Sequence, residues 1–163
     1  MSEYHQKRAV EIIKQIKYAT LATVTAEGNP WNSPVKHEYD QDLNIFWFSD
    51  KENQHSKNVR ENGQVFIVIY DSTVPEGDGE GVYIQAIVTE LSNPDEISYA
   101  RRIKKGPDLD APDDFMGDAI RRVYKAVPQK VWMNDAEMKD GVFIRDYRVD
   151  IDLEELRQSL KKA

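Results

Sequence analysis

Alternating apolar and polar positions, separated by turn-forming residues, run through most of the chain and predict a β-rich fold. Turn signals at 26–29 and 40–42 divide the first part into short segments, so consecutive strands there must be antiparallel. The expected strands are residues 19–25, 31–39, 43–48, 64–70, 82–91, 124–133 and 142–151. The last two are expected to form a closing hairpin, with turns around 134–135 and 140–141.

Helical spacing of apolar residues predicts helices around these strands. A short helix after the third strand carries His55, Ser56 and Lys57 and should end at 62–63. The other expected helices are 3–17 with Ser2 as N-cap, one capped by Asn93 that ends at 106–107, 114–122, and 153–160 capped by Asp152. The prediction is therefore a mainly antiparallel α+β barrel of six to seven strands with peripheral helices, because barrel closure removes exposed strand edges.

Composition narrows the class of protein. With 163 residues, 40% of them hydrophobic and 31% charged, we expect a single domain over 1–163. A net charge of −7 argues against nucleic-acid binding, and no apolar run is long enough to span a membrane. Residues 1–5 lack the apolar segment of a signal peptide and cysteine is absent, which fits a cytoplasmic protein. The three histidines, His5, His37 and His55, lack the spacing of metal ligands.

The junction between the third strand and the short helix is the first candidate site. A helix start offers free N–H groups and a favourable dipole, and Ser49, Ser56 and Lys57 add hydroxyls and a cation. These are the groups that a phosphate requires. His55 could add a further bond. The alternative is a surface helix capped by Ser49 or Asp50, with the other three side chains in water.

The order of these elements resembles that of a known family. Strand, turn, strand, turn, strand, Ser-x(6)-Ser-Lys helix and apolar strand, from about Lys17 to Leu91, resembles the FMN-binding split-barrel family related to pyridoxamine 5′-phosphate oxidase. A weaker similarity runs from Val123 to Asp150. The resemblance implies a split β-barrel, FMN with its phosphate at the Ser49 junction, and a homodimer with flavin at the subunit interface.

The resemblance also implies which other residues contact the cofactor. Ser33, Pro34, Val35 and Lys36 would lie along the edge of the flavin ring, unless this is an ordinary edge strand protected by its proline. Phe48 lies beside Ser49, although a core position would also explain it. Near the C-terminus, Trp132 and Asn134 would reach the flavin across the dimer interface, with a barrel-core tryptophan as the alternative reading.

Two motifs of true pyridoxamine phosphate oxidases are absent. The chain contains neither their Arg-Pro-x-x-Ser-Gln region nor their C-terminal Arg-x-His, which puts the vitamin oxidase activity itself in question. The resemblance implies an FMN-dependent oxidoreductase acting on an unassigned small molecule, with NAD(P)H as a possible donor and with no catalytic residue assigned. The alternatives are a flavin or small-anion binding, storage or sensor protein, and a relative that uses deazaflavin or haem.

Overall fold

The computed structural model describes residues 3–104 and 112–162. Its helices and strands follow one another as α1 (Glu3–Gln15), β1 (Tyr18–Val24), β2 (Pro30–Lys36), β3 (Glu38–Tyr39), β4 (Ile45–Asp50), α2 (Gln54–Glu61), β5 (Gln64–Tyr70), β6 (Gly81–Glu90), α3 (Pro94–Lys104), a 3₁₀ turn (Pro112–Phe115), β7 (Arg121–Lys139), β8 (Val142–Ile151) and α4 (Leu153–Lys162). The predicted Ser2 cap and the predicted helix end at 106–107 lie outside the described residues.

All described strand pairs are antiparallel and belong to one sheet. The order is β2-β1-β5-β6-β7-β4-β3, and β8 pairs with the second half of β7. The strands at opposite ends of this order, β2 and β3, are consecutive in the chain and separated by His37 alone. The sheet therefore curls round until its ends approach each other, as in a barrel split at one seam. The predicted fold class, a mainly antiparallel α+β split barrel with peripheral helices, is confirmed.

The second predicted strand, 31–39, is interrupted at His37. The backbone N–H of His37 donates to the Lys17 carbonyl, and its ring Nε2 lies 2.9 Å from the Ile16 carbonyl oxygen. This buried ring stabilises the corner between β2, which pairs with β1, and β3, which pairs with β4. The alternating pattern contained no signal for the break, so the structure divides one expected strand into β2 and β3.

The C-terminal half differs from the prediction in two places. Residues 114–122 do not form a helix, because β7 already begins at Arg121, whose neighbour Arg122 is buried and donates to the carbonyls of Gly117 and Ala119. In addition, β7 runs without a turn through 134–135, where Asn134 stays paired with Arg148 of β8. The hairpin turns only at Asp140 and Gly141, both with positive φ.

Two apolar clusters fill the interior. The larger one joins the inner face of the sheet to α1 and α4 through residues such as Ile13 and Leu156. The smaller one lies under α3 and includes Phe46, Ile97 and Phe115. The outer face of β5, β6 and β7 instead leaves large apolar side chains partly uncovered, namely Phe66, Tyr83, Ile87 and Trp132. The position of α3 over β4 brings its last residue to the mouth of a cleft beside β2.

Candidate functional site

A cleft of ≈ 280 Å³ opens where the ends of β2 and β4 meet the start of α2. Six residues of the expected cofactor set line it: Pro34, Val35, Lys36, Phe48, Ser49 and His55. Four further lining residues were not expected: Tyr18, Glu38, Asn53 and Lys104. The fold thus brings the predicted β2 segment and part of the predicted strand-to-helix junction together in one place.

A chain of polar side chains runs from Ser33, which the expected cofactor set included but which does not line the cleft, to Ser49 and Asn53, which do. Its centre is His55, with Nε2 2.8 Å from Ser49 Oγ and Nδ1 3.3 Å from Ser33 Oγ. The indole N–H of Trp31 donates to Ser33 Oγ at 3.1 Å, and the amide of Asn53 donates to Ser49 Oγ at 3.0 Å. Both serine oxygens therefore already accept one hydrogen bond. The protonation state of His55, between them, decides in which direction each serine hydroxyl donates its own proton.

Burial disfavours the charged form of His55 and lowers its pKa below the usual 6.5. At neutral pH the ring is therefore neutral, with one nitrogen donating and the other accepting. One of Ser33 and Ser49 must donate its hydroxyl proton to the accepting nitrogen. The other hydroxyl proton is not used by the ring, and where it belongs to Ser49, which lines the cleft, it stays available to a ligand there.

The start of α2 supplies further donors. Asn53 is the N-cap residue, but in the structure described its side chain makes no capping bond, and its amide Nδ2 donates to Ser49 Oγ. The N–H groups of the first turn therefore keep their capacity to bind an acceptor. Together with the helix dipole, they favour an anion at this end of the cleft.

Two lysines place positive charge on the cleft walls. Lys36 Nζ lies 3.1 Å from Glu38 Oε1, so this pair contributes little net charge. Lys104, at the end of α3, places its Nζ 4.4 Å from the centre of the Phe48 ring. This cation–π contact helps to hold the ammonium group at the rim of the cleft, which both residues line.

Ser56 and Lys57, the other two members of the expected phosphate set, do not line this cleft. Ser56 is 0% exposed, and its hydroxyl donates to the Asp50 carbonyl at 2.8 Å, which ties α2 to the end of β4. Lys57 points to the surface, where its Nζ lies 3.3 Å from Glu52 Oε2. The helical repeat explains the difference, because His55 and its two successors leave the helix axis in different directions.

Trp132 and Asn134 also lie away from the cleft of their own chain. Trp132 stacks on Phe66, with ring centres 6.1 Å apart, on the outer face of the sheet. Asn134 accepts a bond from the Gly81 N–H and donates to the Gly79 carbonyl, both at 2.7 Å. Its amide thus holds the acidic loop before β6, and any contact of either residue with a ligand in the cleft would require a second copy of the chain.

Sequence reasoning missed Asn53 and Lys104 for different reasons. Asn53 had a local signal, since an asparagine four residues after Ser49 occupies the N-cap position of the helix. Lys104 had none, because only the packing of α3 over β4 brings it to Phe48. Within 3–104 and 112–162, no group of three or more His, Asp or Glu side chains could hold a metal ion. The helices in these ranges include none that is long and apolar enough to cross a membrane.

Comparison with known families gives a match over most of the chain. The model of the family described as pyridoxamine 5′-phosphate oxidase matches residues 6–134. This range contains every residue that lines the cleft. Among curated proteins, none is similar enough in sequence to count as a match.

Solved structures with the same fold have diverse descriptions. A haem-binding protein from Mycobacterium smegmatis is similar with a TM-score of 0.66 and 19% identity, over 97% of this chain and 61% of that one. The haem storage protein HutZ from Vibrio cholerae has a TM-score of 0.64 and 20% identity, over 77% and 91%. A Clostridium acetobutylicum protein of the pyridoxinephosphate oxidase family, related to general stress protein 26 of B. subtilis, has a TM-score of 0.63 and 10% identity, over 96% and 99%. At these identities the likeness concerns the fold alone.

Proposed function

Because this chain belongs to the pyridoxamine 5′-phosphate oxidase family, we propose that it binds FMN in the cleft between β2, β4 and α2. The observation that carries the proposal is the polar chain from Ser33 through His55 and Ser49 to Asn53, at a helix start without a side-chain cap. Phosphate would be held by Ser49, His55 and the first turn of α2, with Lys104 at the rim. The flavin ring would lie along Pro34, Val35 and Lys36.

The position of Pro34 supports the ring assignment. It lies in β2, the terminal strand of the sheet order, where a residue without an N–H group is tolerated. A terminal strand also has backbone groups on its outer edge that can bond to the polar rim of a planar ligand. The Val35 side chain packs against the core and fixes the height of this edge.

The cleft of one chain is small for a whole flavin. Its ≈ 280 Å³ lies just below the usual range for small-molecule pockets, which begins at about 300 Å³. We therefore include in the proposal a homodimer in which a second copy covers the ring. The partly uncovered side chains Phe66, Ile87 and Trp132 on the outer sheet face would form the subunit contact, and the partner's Trp132 would close the flavin site.

When bound, FMN supplies the redox chemistry, and the chain supplies binding, orientation and exclusion of water. The proposed activity is that of an oxidoreductase on a small molecule, with NAD(P)H as donor. Binding or storage of flavin without turnover is the alternative activity of the same site. Anaerobic addition of NADH or NADPH to the FMN complex separates the two, because only a reductase would bleach the flavin.

Haem is a second candidate ligand, favoured by the two haem proteins among the solved structures with this fold. His55 is the histidine of this chain that lines the cleft. However, both of its ring nitrogens already have hydroxyl partners within 3.3 Å, so ligation of iron would require one of these bonds to break. Because of this cost, we propose haem only as the second candidate ligand, after FMN.

The test is a titration of the purified, ligand-free protein with FMN, followed by absorbance and flavin fluorescence. Ser49→Ala should weaken FMN binding by about 1.5–3 kcal/mol, the scale of a hydrogen bond to a charged group. Ser92→Ala, at an exposed serine outside the cleft, is the matched control and should bind like the wild type. Equal affinities of the two variants, or a sharp Soret band with haem and no flavin binding, would contradict the proposal.

A further inference from the structure

The central side chain of the cleft is a buried histidine. His55 is 7% exposed and bonds to a serine hydroxyl at each ring nitrogen. A cofactor phosphate is dianionic above about pH 7. An empty cleft with a neutral imidazole at its centre therefore lacks the charge that would best match this group.

Charged groups reach the surroundings of His55 from several elements. Tyr18 of β1, Lys36 of β2, Glu38 of β3 and Lys104 of α3 line the same cleft. Burial away from water is what disfavours a positive charge on the ring in the empty cleft. At the end of β4, Asp50 accepts the backbone N–H of Glu52, and on α2 itself Lys57 pairs with Glu52 and Arg60 with Glu90 of β6. A bound phosphate dianion would instead favour a positive charge on the ring.

Protonation would also release hydroxyl protons to the ligand. In the neutral ring one nitrogen accepts, so it consumes the proton of Ser33 or Ser49. In the imidazolium both nitrogens donate, and both serine oxygens become acceptors towards the ring. Neither hydroxyl proton is then used by the ring, so that of Ser49, which lines the cleft, is always free to turn towards a phosphate oxygen. Binding of an anion and protonation of His55 thus favour each other through charge and through hydrogen-bond direction.

We infer that binding of a phosphate-bearing cofactor in this cleft is coupled to the uptake of one proton by His55. The inference rests on the proposed function, since it concerns how the same site recognises its ligand. The proton comes from solvent, moves to the accepting ring nitrogen and stays there while the phosphate is bound. No bond of the ligand forms or breaks.

The coupling has a sign that can be worked out. The pKa of His55 is below 6.5 in the free protein and is raised by the bound phosphate. Between these two pKa values the complex holds one proton more than the free species, so the dissociation constant for FMN rises with pH. The expected rise is up to about tenfold per pH unit. Riboflavin, which lacks the phosphate, should show no such dependence.

The experiment is isothermal titration calorimetry of the ligand-free protein with FMN at about pH 7.5, where the free phosphate no longer titrates. Repetition in two buffers of different ionisation enthalpy gives the number of protons taken up. We expect close to one for the wild type and zero for His55→Gln, whose amide can keep both serine contacts. His55→Lys should bind FMN with a fixed charge and no uptake. The matched control His5→Gln, at a histidine paired with Asp135 outside the cleft, should retain the uptake.

Ring ¹⁵N chemical shifts of His55 in the wild type give a second reading that needs no variant. The imidazole should be neutral at about pH 7.5 without FMN and an imidazolium when FMN is saturating. FMN binding with no proton uptake and a neutral His55 would overturn the inference while leaving the proposed function intact. Proton uptake that persists in His55→Gln would also overturn it. Failure of FMN to bind at any pH would overturn both proposals.

Discussion

At the scale of single residues, hydrogen-bond partners separate side chains that the sequence places side by side. His55, Ser56 and Lys57 are consecutive, yet only His55 lines the cleft. Ser56 is buried between α2 and the end of β4, and Lys57 pairs with Glu52 at the surface. Asn53 joins the polar chain because its Nδ2 donates to Ser49, and its side chain makes no capping bond. Whether a side chain of α2 belongs to the candidate site therefore depends on the direction in which it leaves the helix axis, more than on its position in the sequence.

Asn53→Ala should weaken FMN binding more than Lys57→Ala does. The sequence motif alone would predict the reverse order. Removal of the Asn53 amide takes one donor from Ser49 and should weaken FMN binding by about 0.5–1.5 kcal/mol. Removal of Lys57 breaks an exposed ion pair and should change FMN affinity by less than about 0.5 kcal/mol. Fluorescence titration of both variants provides the measurement. A larger loss of FMN affinity in Lys57→Ala than in Asn53→Ala would indicate that the phosphate binds at Lys57, as the motif predicts.

Tyr124 should make stability sensitive to alkaline pH. Burial raises its pKa to about 12, and its hydroxyl donates to Glu90 at 3.0 Å. In the unfolded chain the pKa is about 10, so the unfolded state loses this proton first. The stabilisation is complete below about pH 10 and is lost as the pH rises towards about 12. Urea unfolding across this range should show a fall of about 2–3 kcal/mol that Tyr124→Phe reduces. An equal fall in that variant would assign the effect to other groups.

At the scale of elements, α2 is held on the barrel by buried polar contacts and by a close backbone approach at its end. The Asn58 amide donates to Thr23 Oγ1 of β1 at 2.8 Å, and Ser56 binds the end of β4. After the helix, the carbonyl of Gly63 accepts the Val88 N–H of β6. These contacts set the height of α2 above β2, and hence the distance from His55 to Ser33.

Gly63→Ala should therefore destabilise the fold. A Cβ atom at this position would lie 2.7 Å from the Val88 carbonyl oxygen, so backbone must shift. We expect a loss of about 1–3 kcal/mol in the free energy of unfolding. Gly79→Ala is the matched control, because nothing lies within 4 Å of its added Cβ. Chemical denaturation of both variants tests this, and equal stability would show that the approach of the two backbones relaxes without cost.

At the scale of the whole molecule, the described helices leave the outer face of β5, β6 and β7 uncovered. Ile87 is 42% exposed there, beside the stacked pair of Phe66 and Trp132. α1 and α4 cover the opposite side with the larger apolar cluster. A cluster of partly uncovered apolar side chains on a sheet face is typical of a subunit contact.

Ile87→Lys should convert the proposed homodimer to monomers and lower FMN affinity. A charge buried in a subunit contact without a partner is costly, and an exposed lysine on a monomer is not. Ile120→Lys is the control, since Ile120 is 63% exposed in the segment before β7 and outside this face. Light scattering should report twice the chain mass for the wild type and Ile120→Lys, and the single chain mass for Ile87→Lys. A wild-type monomer that holds FMN stoichiometrically would show that one chain is sufficient.

Local periodicity and turn chemistry were sufficient to predict several elements of the fold. Antiparallel strands, the helix after Ser49 and the Asn93 start of α3 all follow from such signals, as does the presence of Pro34 on a terminal strand. The order of these elements was also sufficient to identify the family.

Only the tertiary structure decided which side chains meet. The break at His37 depends on the carbonyl of Ile16, just after α1, and the end of β7 depends on pairing with β8 rather than on Asn134 and Asp135. His55 lies between Ser33 and Ser49 because the barrel brings β2 to β4, and Lys104 reaches the same cleft only through the packing of α3. Residues that are distant in the chain come into contact because the whole core is buried together. No short segment of the sequence carries a local signal for such contacts.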